Sequence, residues 1–414
     1  MLSEAWVRRR FLNLSGSAAL GACVGPPQQE DPAPDRSPAG EPRATPSSPG
    51  LQVFLCGDVM TGRGIDQVLP HPSKPEIYES YVRSALGYVE IAEQTNGPIP
   101  RPVDFGYIWG DALAELETRA PDLRVINLET SVTTSDEAAP KGINYRMHPK
   151  NTSCLQAADI DCCVLANNHV LDWGGVGLVE TLDTLQGAGL ATAGAGRDAE
   201  EADRPAVLEM SGKGRLLVFG LGSPTSGIPR DWAAGTGRPG VSLLPDLSSR
   251  SADRVAERVR RWRRPGDVVL ASVHWGGNWG YAFPGSQQEF ARRLIDAGGA
   301  DVVHGHSSHH PRPFEVHEGR LILYGCGDFI NDYEGISGHE EFRSELVLAY
   351  FPTLDTSGRL LELEMTPFRT RRFRLERVSR HDAAWMRSTL NREGRRLGTQ
   401  VELTDRGSLV LAVT

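Results

Sequence analysis

Four histidines, His304, His306, His309 and His310, fall within seven residues directly after the short apolar run Asp301-Val302-Val303. Imidazoles crowded at a strand end repel one another when protonated, and buried neutral rings need partners. A metal is the simplest partner common to at least two of them. Other strand-like runs end in the same manner. The run 51–57 delivers Asp58, 124–128 delivers Glu129, 162–167 delivers Asn168 and His169, 268–273 delivers His274, and 320–327 delivers Asp328. Carboxylate oxygens, an amide oxygen and imidazole nitrogens, with no thiolate among them, suit Mn, Fe, Zn or Mg in a reactive setting rather than a structural zinc.

The elements that must position these residues are legible as apolar runs alternating with helical stripes. Leu178, Leu182 and Leu185 share one helical face that stops at Gly187, and a strand is expected over 190–195. Ala252, Val255, Ala256, Val259 and Trp262 form a second stripe, ending at Pro265-Gly266. Ser286 and Glu289 have capping-box spacing ahead of a third helix that carries Phe290, Leu294 and Ile295 and halts at Gly298-Gly299. The run 320–329 reads as one strand, and from residue 342 onward the pattern predicts antiparallel strands with one helix over 381–398. Near-continuous apolar strands between helices imply an α/β fold whose sheets are covered by helices, and in such folds ligands collect beyond the carboxyl ends of the strands.

The chain has 414 residues, 39% of them hydrophobic and 23% charged, which is ordinary globular composition. A net charge of -9 without a dominant basic cluster excludes a nucleic-acid partner. Residues 1–22 have the marks of an export signal: Arg8-Arg9-Arg10-Phe11-Leu12, a weakly apolar stretch, then Leu20-Gly21-Ala22 before Cys23. The segment is similar to a twin-arginine signal joined to a lipobox, which makes Cys23 the expected lipidation site and the membrane a partner through that anchor. Residues 23–50, rich in Pro, Ala, Ser and charge, read as an extended tether. Cys56, Cys154, Cys162, Cys163 and Cys326 read as buried thiols, with adjacent Cys162 and Cys163 facing opposite sides of a strand.

Gly57-Asp58-Val59-Met60, Asn127-Leu128-Glu129, Ala166-Asn167-Asn168-His169 with Asp172 and Gly174, His274-Trp275-Gly276, Gly305-His306 with His309, and Tyr324-Gly325-Cys326-Gly327-Asp328-Phe329 occur in that order. Together they resemble the motifs of the CapA family of poly-γ-glutamate capsule proteins, a branch of the calcineurin-like metallophosphoesterases. The resemblance runs from about residue 52 to about residue 350. It implies a metallophosphoesterase-like layered α/β sandwich with helices packed on mixed β-sheets. The main domain would span 51–350, with 351–414 packed on it.

It also implies roles, and one or two divalent ions. Glu129 would bridge two metals; Asn168, His274 and His306 would complete one position, Asp58 and His309 the other. His169, oriented by Asp172, would protonate a leaving group or steady a phosphoryl oxygen. Arg63, Lys141 and Arg146 match positions kept basic in such chains and would hold a phosphate or carboxylates. The implied partners are an anionic polymer such as poly-γ-glutamate or a phosphoester, and capsule synthase subunits. A role that binds or guides the polymer without turnover is the alternative. Two positions depart from the phosphoesterase pattern, Met60 where a His ligand is expected and the last His pair, spaced Gly-His-Ser-Ser-His as is usual for CapA-like chains, and one departs from the CapA pattern, Asp328 in place of the Asn of many such chains. His304, His310, His317, His339 and His381 are expected to be structural or exposed. Trp275, Trp279 and Tyr281 would either wall the pocket or pack against the core.

Overall fold

A computed structural model describes residues 50–412 apart from Ser211. The expected export signal with Arg8 and Arg9, the expected lipidation site Cys23, and the expected tether up to residue 49 lie outside the described residues. In chain order the principal elements are β1 (Leu51–Val59), β2 (Leu123–Leu128), β3 (Cys162–Val164), α1 (Gly174–Gly187), β4 (Ala191–Ala193), β5 (Ala206–Met210), β6 (Gly214–Gly222), α2 (Ser249–Arg260) and β7 (Asp267–His274). They continue as α3 (Gly285–Asp296), β8 (Val302–His306), β9 (Phe314–His317), β10 (Arg320–Leu323), β11 (Asp328–Ile330), β12 (Leu346–Leu354), β13 (Leu360–Arg371), β14 (Arg374–Arg377), α4 (Arg380–Gly394), β15 (Val401–Leu403) and β16 (Leu409–Leu411). No helix among the described residues is long and apolar enough to cross a membrane.

Two mixed sheets stack face to face. The ten-stranded sheet runs β15-β16-β13-β12-β1-β2-β3-β4, with β11 joined to β1 and β14 to β13; the six-stranded sheet runs β9-β10-β8-β7-β6-β5. Each has a parallel part, β1 to β4 in one and β6, β7, β8 and β10 in the other; antiparallel strands continue the first beyond β1 and flank the second on both sides. The two-residue strand period decides which side chains fill which layer. Val53, Leu55, Val125 and Cys162 face Val218, Leu270 and Val302 between the sheets. Phe54, Cys163 and the leucines of α1 fill the layer outside the first sheet, and Ala252, Val255, Phe290 and Leu294 cover the second. Each fully buried leucine stabilises this layered α/β sandwich by about 2 kcal/mol. The adjacent Cys162 and Cys163 sit in different layers, and Cys56, Cys154, Cys162, Cys163 and Cys326 are all buried free thiols.

Two local expectations change. The helix α3 starts at Gly285 behind an extended Pro284 that occupies the cap position, so Ser286 lies within the first turn and no side chain caps the helix. The run 320–329 is two strands in different sheets: β10 pairs with β8, whereas β11 pairs with β1, and the glycine-containing 324–327 carries the chain across. This crossing brings Asp328 into register beside Asp58.

Candidate metal centre

The inner face of the six-stranded sheet carries Ser272 and His274 on β7 opposite His304 and His306 on β8, paired in register Ser272 to His304 and His274 to His306. Asp58 reaches them because β1 is bulged. Its pairing with β2 shifts between Leu55 and Asp58, so Val59 points with Phe54 and Cys56 into the outer layer, and Asp58 turns inward. Gly57 sits at this bulge, where a β-carbon would lie 1.9 Å from the Gly327 carbonyl oxygen. Asn127 Nδ2 and the Ser307 amide donate to Asp58 at 2.7 and 3.0 Å and fix its carboxylate. Among the described residues, Asp58, His274 and His306 form the one group of three such side chains whose ligand atoms all lie within 4.8 Å of one another.

Around this triad stand further donors. His306 Nδ1 is 3.6 Å from Asp58 Oδ1 and 2.8 Å from His274 Nδ1. His274 Nε2 is 2.8 Å from Asn168 Oδ1 and 3.7 Å from Glu129 Oε1. Glu129 follows β2 and is buried, with Oε2 lacking any hydrogen-bond partner. Burial, then Asp58 and Asp328, pushes its carboxyl well above the usual range; burial and Asp328 likewise push Asp58 up. His274 and His306 are driven well below the ordinary imidazole value by burial. Two imidazole nitrogens facing each other in a site that disfavours their protonation, beside an orphaned carboxylate oxygen, fit a divalent cation held by Asp58, Glu129, Asn168, His274 and His306.

His309 has a different neighbourhood from the one the resemblance implies. Its Nδ1 contacts Asp328 at 2.9 Å, its Nε2 lies 3.0 Å from Asn278, and Asp58, expected on its side, sits with the triad. Met60 is buried against Tyr145 and Tyr333, whose hydroxyl donates to the Met60 sulfur at 3.3 Å. His169 faces Glu129 across 3.7 Å, and its Nδ1 is held by Asp172 at 2.6 Å. Asp172 also accepts from Lys141 Nζ and the Tyr145 amide, each at 2.6 Å, while Lys141 additionally donates to the Asn168 carbonyl. Burial lowers the His169 imidazole to about 4.

Glu129, Lys141, Asn168, His169 and His309 open onto a cavity of about 380 Å³ walled by Tyr81, Ile143, Tyr145, Pro229 and Tyr333. Arg63 and Arg146, expected beside a substrate, are not in it. Arg63 is buried on Glu79 and Asp332, donates to the Tyr88 hydroxyl, and lies over the Tyr88 ring. Arg146 donates to the Ser135 carbonyl and Asp136 and stacks on Trp173. Trp275 packs in the core with its Nε1 on the Tyr324 carbonyl, and Trp279 and Tyr281 pack on His339 and His310. Asn127, Asn167, Asn278 and Ser272 are supporting residues that reading the sequence missed. Asn127 and Asn167 lie inside motifs quoted above, which was the available signal, and Asn167 Nδ2 ties Asn127 and the Leu128 carbonyl together.

These features define a class: a two-sheet α/β sandwich with a buried mixed nitrogen and oxygen donor set at the carboxyl ends of both sheets. Within it, the chain belongs to the family described as bacterial capsule synthesis protein PGA_cap, which it matches over residues 52–333. A probable polyglutamine synthesis accessory protein of Mycobacterium tuberculosis is 51% identical over 354 residues, covering 85% of this chain and 93% of the relative. The PGA biosynthesis protein CapA of Bacillus subtilis is 26% identical over 319 residues, covering 77% of this chain and 71% of that protein. A solved phosphatase structure from Mycoplasma pneumoniae aligns at 13% identity with a TM-score of 0.42, covering 77% of this chain and 93% of that one.

Proposed function

We propose that the chain is an exported capsule-synthesis protein, anchored by lipid at Cys23, that hydrolyses a phosphoester or a comparable anionic bond on or alongside poly-γ-glutamate. The observation that carries this is the convergence of Asp58, Glu129, His274 and His306 next to the His169–Asp172 pair, with Glu129 and His169 lining one cavity. A divalent ion held there supplies positive charge that steadies an oxyanion and acidifies water. Asp172 accepts the Nδ1 hydrogen of neutral His169 and leaves Nε2 bare toward Glu129 and the cavity. That nitrogen takes up a proton from solvent and gives it to the leaving oxygen as the bond to the leaving group breaks, while a water forms its bond from the opposite side and releases its proton to solvent. Lys141 holds Asp172 in place and, among the described residues, is the one cationic side chain lining the cavity.

The word accessory in the name of the M. tuberculosis relative favours a second reading, in which the protein guides the polymer beside synthase subunits without turnover. The test uses the chain from residue 23 onward without lipid, loaded with manganese or zinc and assayed on a phosphodiester panel and on poly-γ-glutamate. The proposal expects turnover that falls at least about 100-fold in His169→Asn and is lost in Glu129→Gln with His274→Ala. Loaded protein that is inert on every substrate, while the double variant still binds polymer like the wild type, leaves the second reading standing.

A further inference from the structure

Beneath the proposed metal position runs a chain of hydrogen bonds that the reaction does not use. His304 Nε2 lies 2.8 Å from the Cys56 carbonyl oxygen, His304 Nδ1 lies 3.0 Å from Ser272 Oγ, and Ser272 Oγ lies 2.9 Å from His306 Nε2. All three side chains are fully buried. A carbonyl oxygen only accepts, so the hydrogen of neutral His304 sits on Nε2 and its Nδ1 is bare. The Ser272 hydroxyl must then donate to His304, which leaves its oxygen to accept, and the only hydrogen on offer is that of His306 Nε2. His306 Nδ1 is thereby bare, and it is the atom aimed at Asp58 and His274.

We infer that Ser272 and His304 are positioning residues that read one backbone carbonyl of β1 and fix His306 in the tautomer that presents Nδ1 as a metal ligand. The register that pairs Ser272 with His304 and His274 with His306 puts relay and ligands on the same face, so the relay also ties the two sheets together through Cys56. Partners that hold the second ring nitrogen set ligand orientation, and losing one commonly costs 10–100-fold in metal affinity, on the order of what is expected here.

The inference rests on the metal reading of the site, and its test separates the two. In the metal-free full-length chain labelled with ¹⁵N-histidine, His306 is expected to carry its hydrogen on Nε2, and Ser272→Ala is expected to convert it to a mixture of tautomers. By calorimetric titration with manganese chloride, Ser272→Ala is expected to bind about 10–100-fold more weakly than wild type, and Ser272→Thr, which keeps the hydroxyl, within about threefold of it. A wild-type His306 protonated on Nδ1, or a folded Ser272→Ala chain that keeps both the tautomer and the affinity, overturns the relay. A wild-type chain that takes up no manganese defeats the metal reading, and the tautomer measurement still decides the relay.

Discussion

Glu129 holds a buried carboxylate with one oxygen unpartnered, flanked by Asp58 and Asp328. Without a cation the three acids repel, so Glu129→Gln is expected to raise the melting temperature of the metal-free chain by roughly 2 °C or more, and to abolish the rise that manganese gives the wild type. Differential scanning fluorimetry with and without manganese reads both effects. The same groups set a pH dependence. Asp58 is raised from 3.8 to about 8, so its stabilising contribution in the metal-free fold is whole below 3.8 and is lost as pH climbs through about 8. His274 and His306, depressed below 6.5, act in the opposite sense: their contribution is whole above 6.5 and is lost as pH falls. Between pH 6.5 and 8 the carboxylates dominate, so the metal-free chain is expected to lose stability over that window while the manganese-loaded chain does not. The stabilisation by manganese should therefore be larger at pH 8 than at pH 6.5. At this scale sequence reading named most of the cluster and misjudged Arg63. Its partners Glu79 and Asp332 are 16 and 269 residues away, and no local pattern announces that a basic residue beside a motif is already paired.

The elements were legible wherever a period was clean. The leucines of α1 and the stripe of α2 follow from spacing alone, and the inner strands from their near-continuous apolar runs. What spacing does not carry is a bulge. A regular β1 would send Asp58 outward with Phe54 and Cys56; one irregular residue at Gly57 reverses it, and only the close passage of Gly327 explains why that residue has no side chain. Gly57→Ala is therefore expected to separate β1 from β11, destabilising the fold by about 2–4 kcal/mol and weakening manganese binding together with it. Urea unfolding with parallel metal titration measures the two. A variant with wild-type stability and affinity would mean that the bulge does not position Asp58. The division of 320–329 into β10 and β11 was hidden for a related reason, since an apolar run that changes sheets has the same composition as one that stays.

At the scale of the whole molecule, two sheets that share an apolar layer also share a site, because Asp58, Glu129 and Asn168 come from one and His274 and His306 from the other. Cation binding at that seam is expected to couple to the stability of the entire sandwich rather than to one loop. The export signal and Cys23 belong to the proposal, and replacing Arg8 and Arg9 by Lys while following surface display tests the route. The central claim, that the seam holds a divalent cation, is tested most directly by the metal content of the purified chain beside His274→Ala, measured by plasma mass spectrometry after manganese or zinc loading and desalting. The account predicts at least one tightly held ion per wild-type chain and a loss of about tenfold or more in occupancy in the variant. A folded wild-type chain that retains no divalent metal, or a variant that retains as much as the wild type, would contradict it.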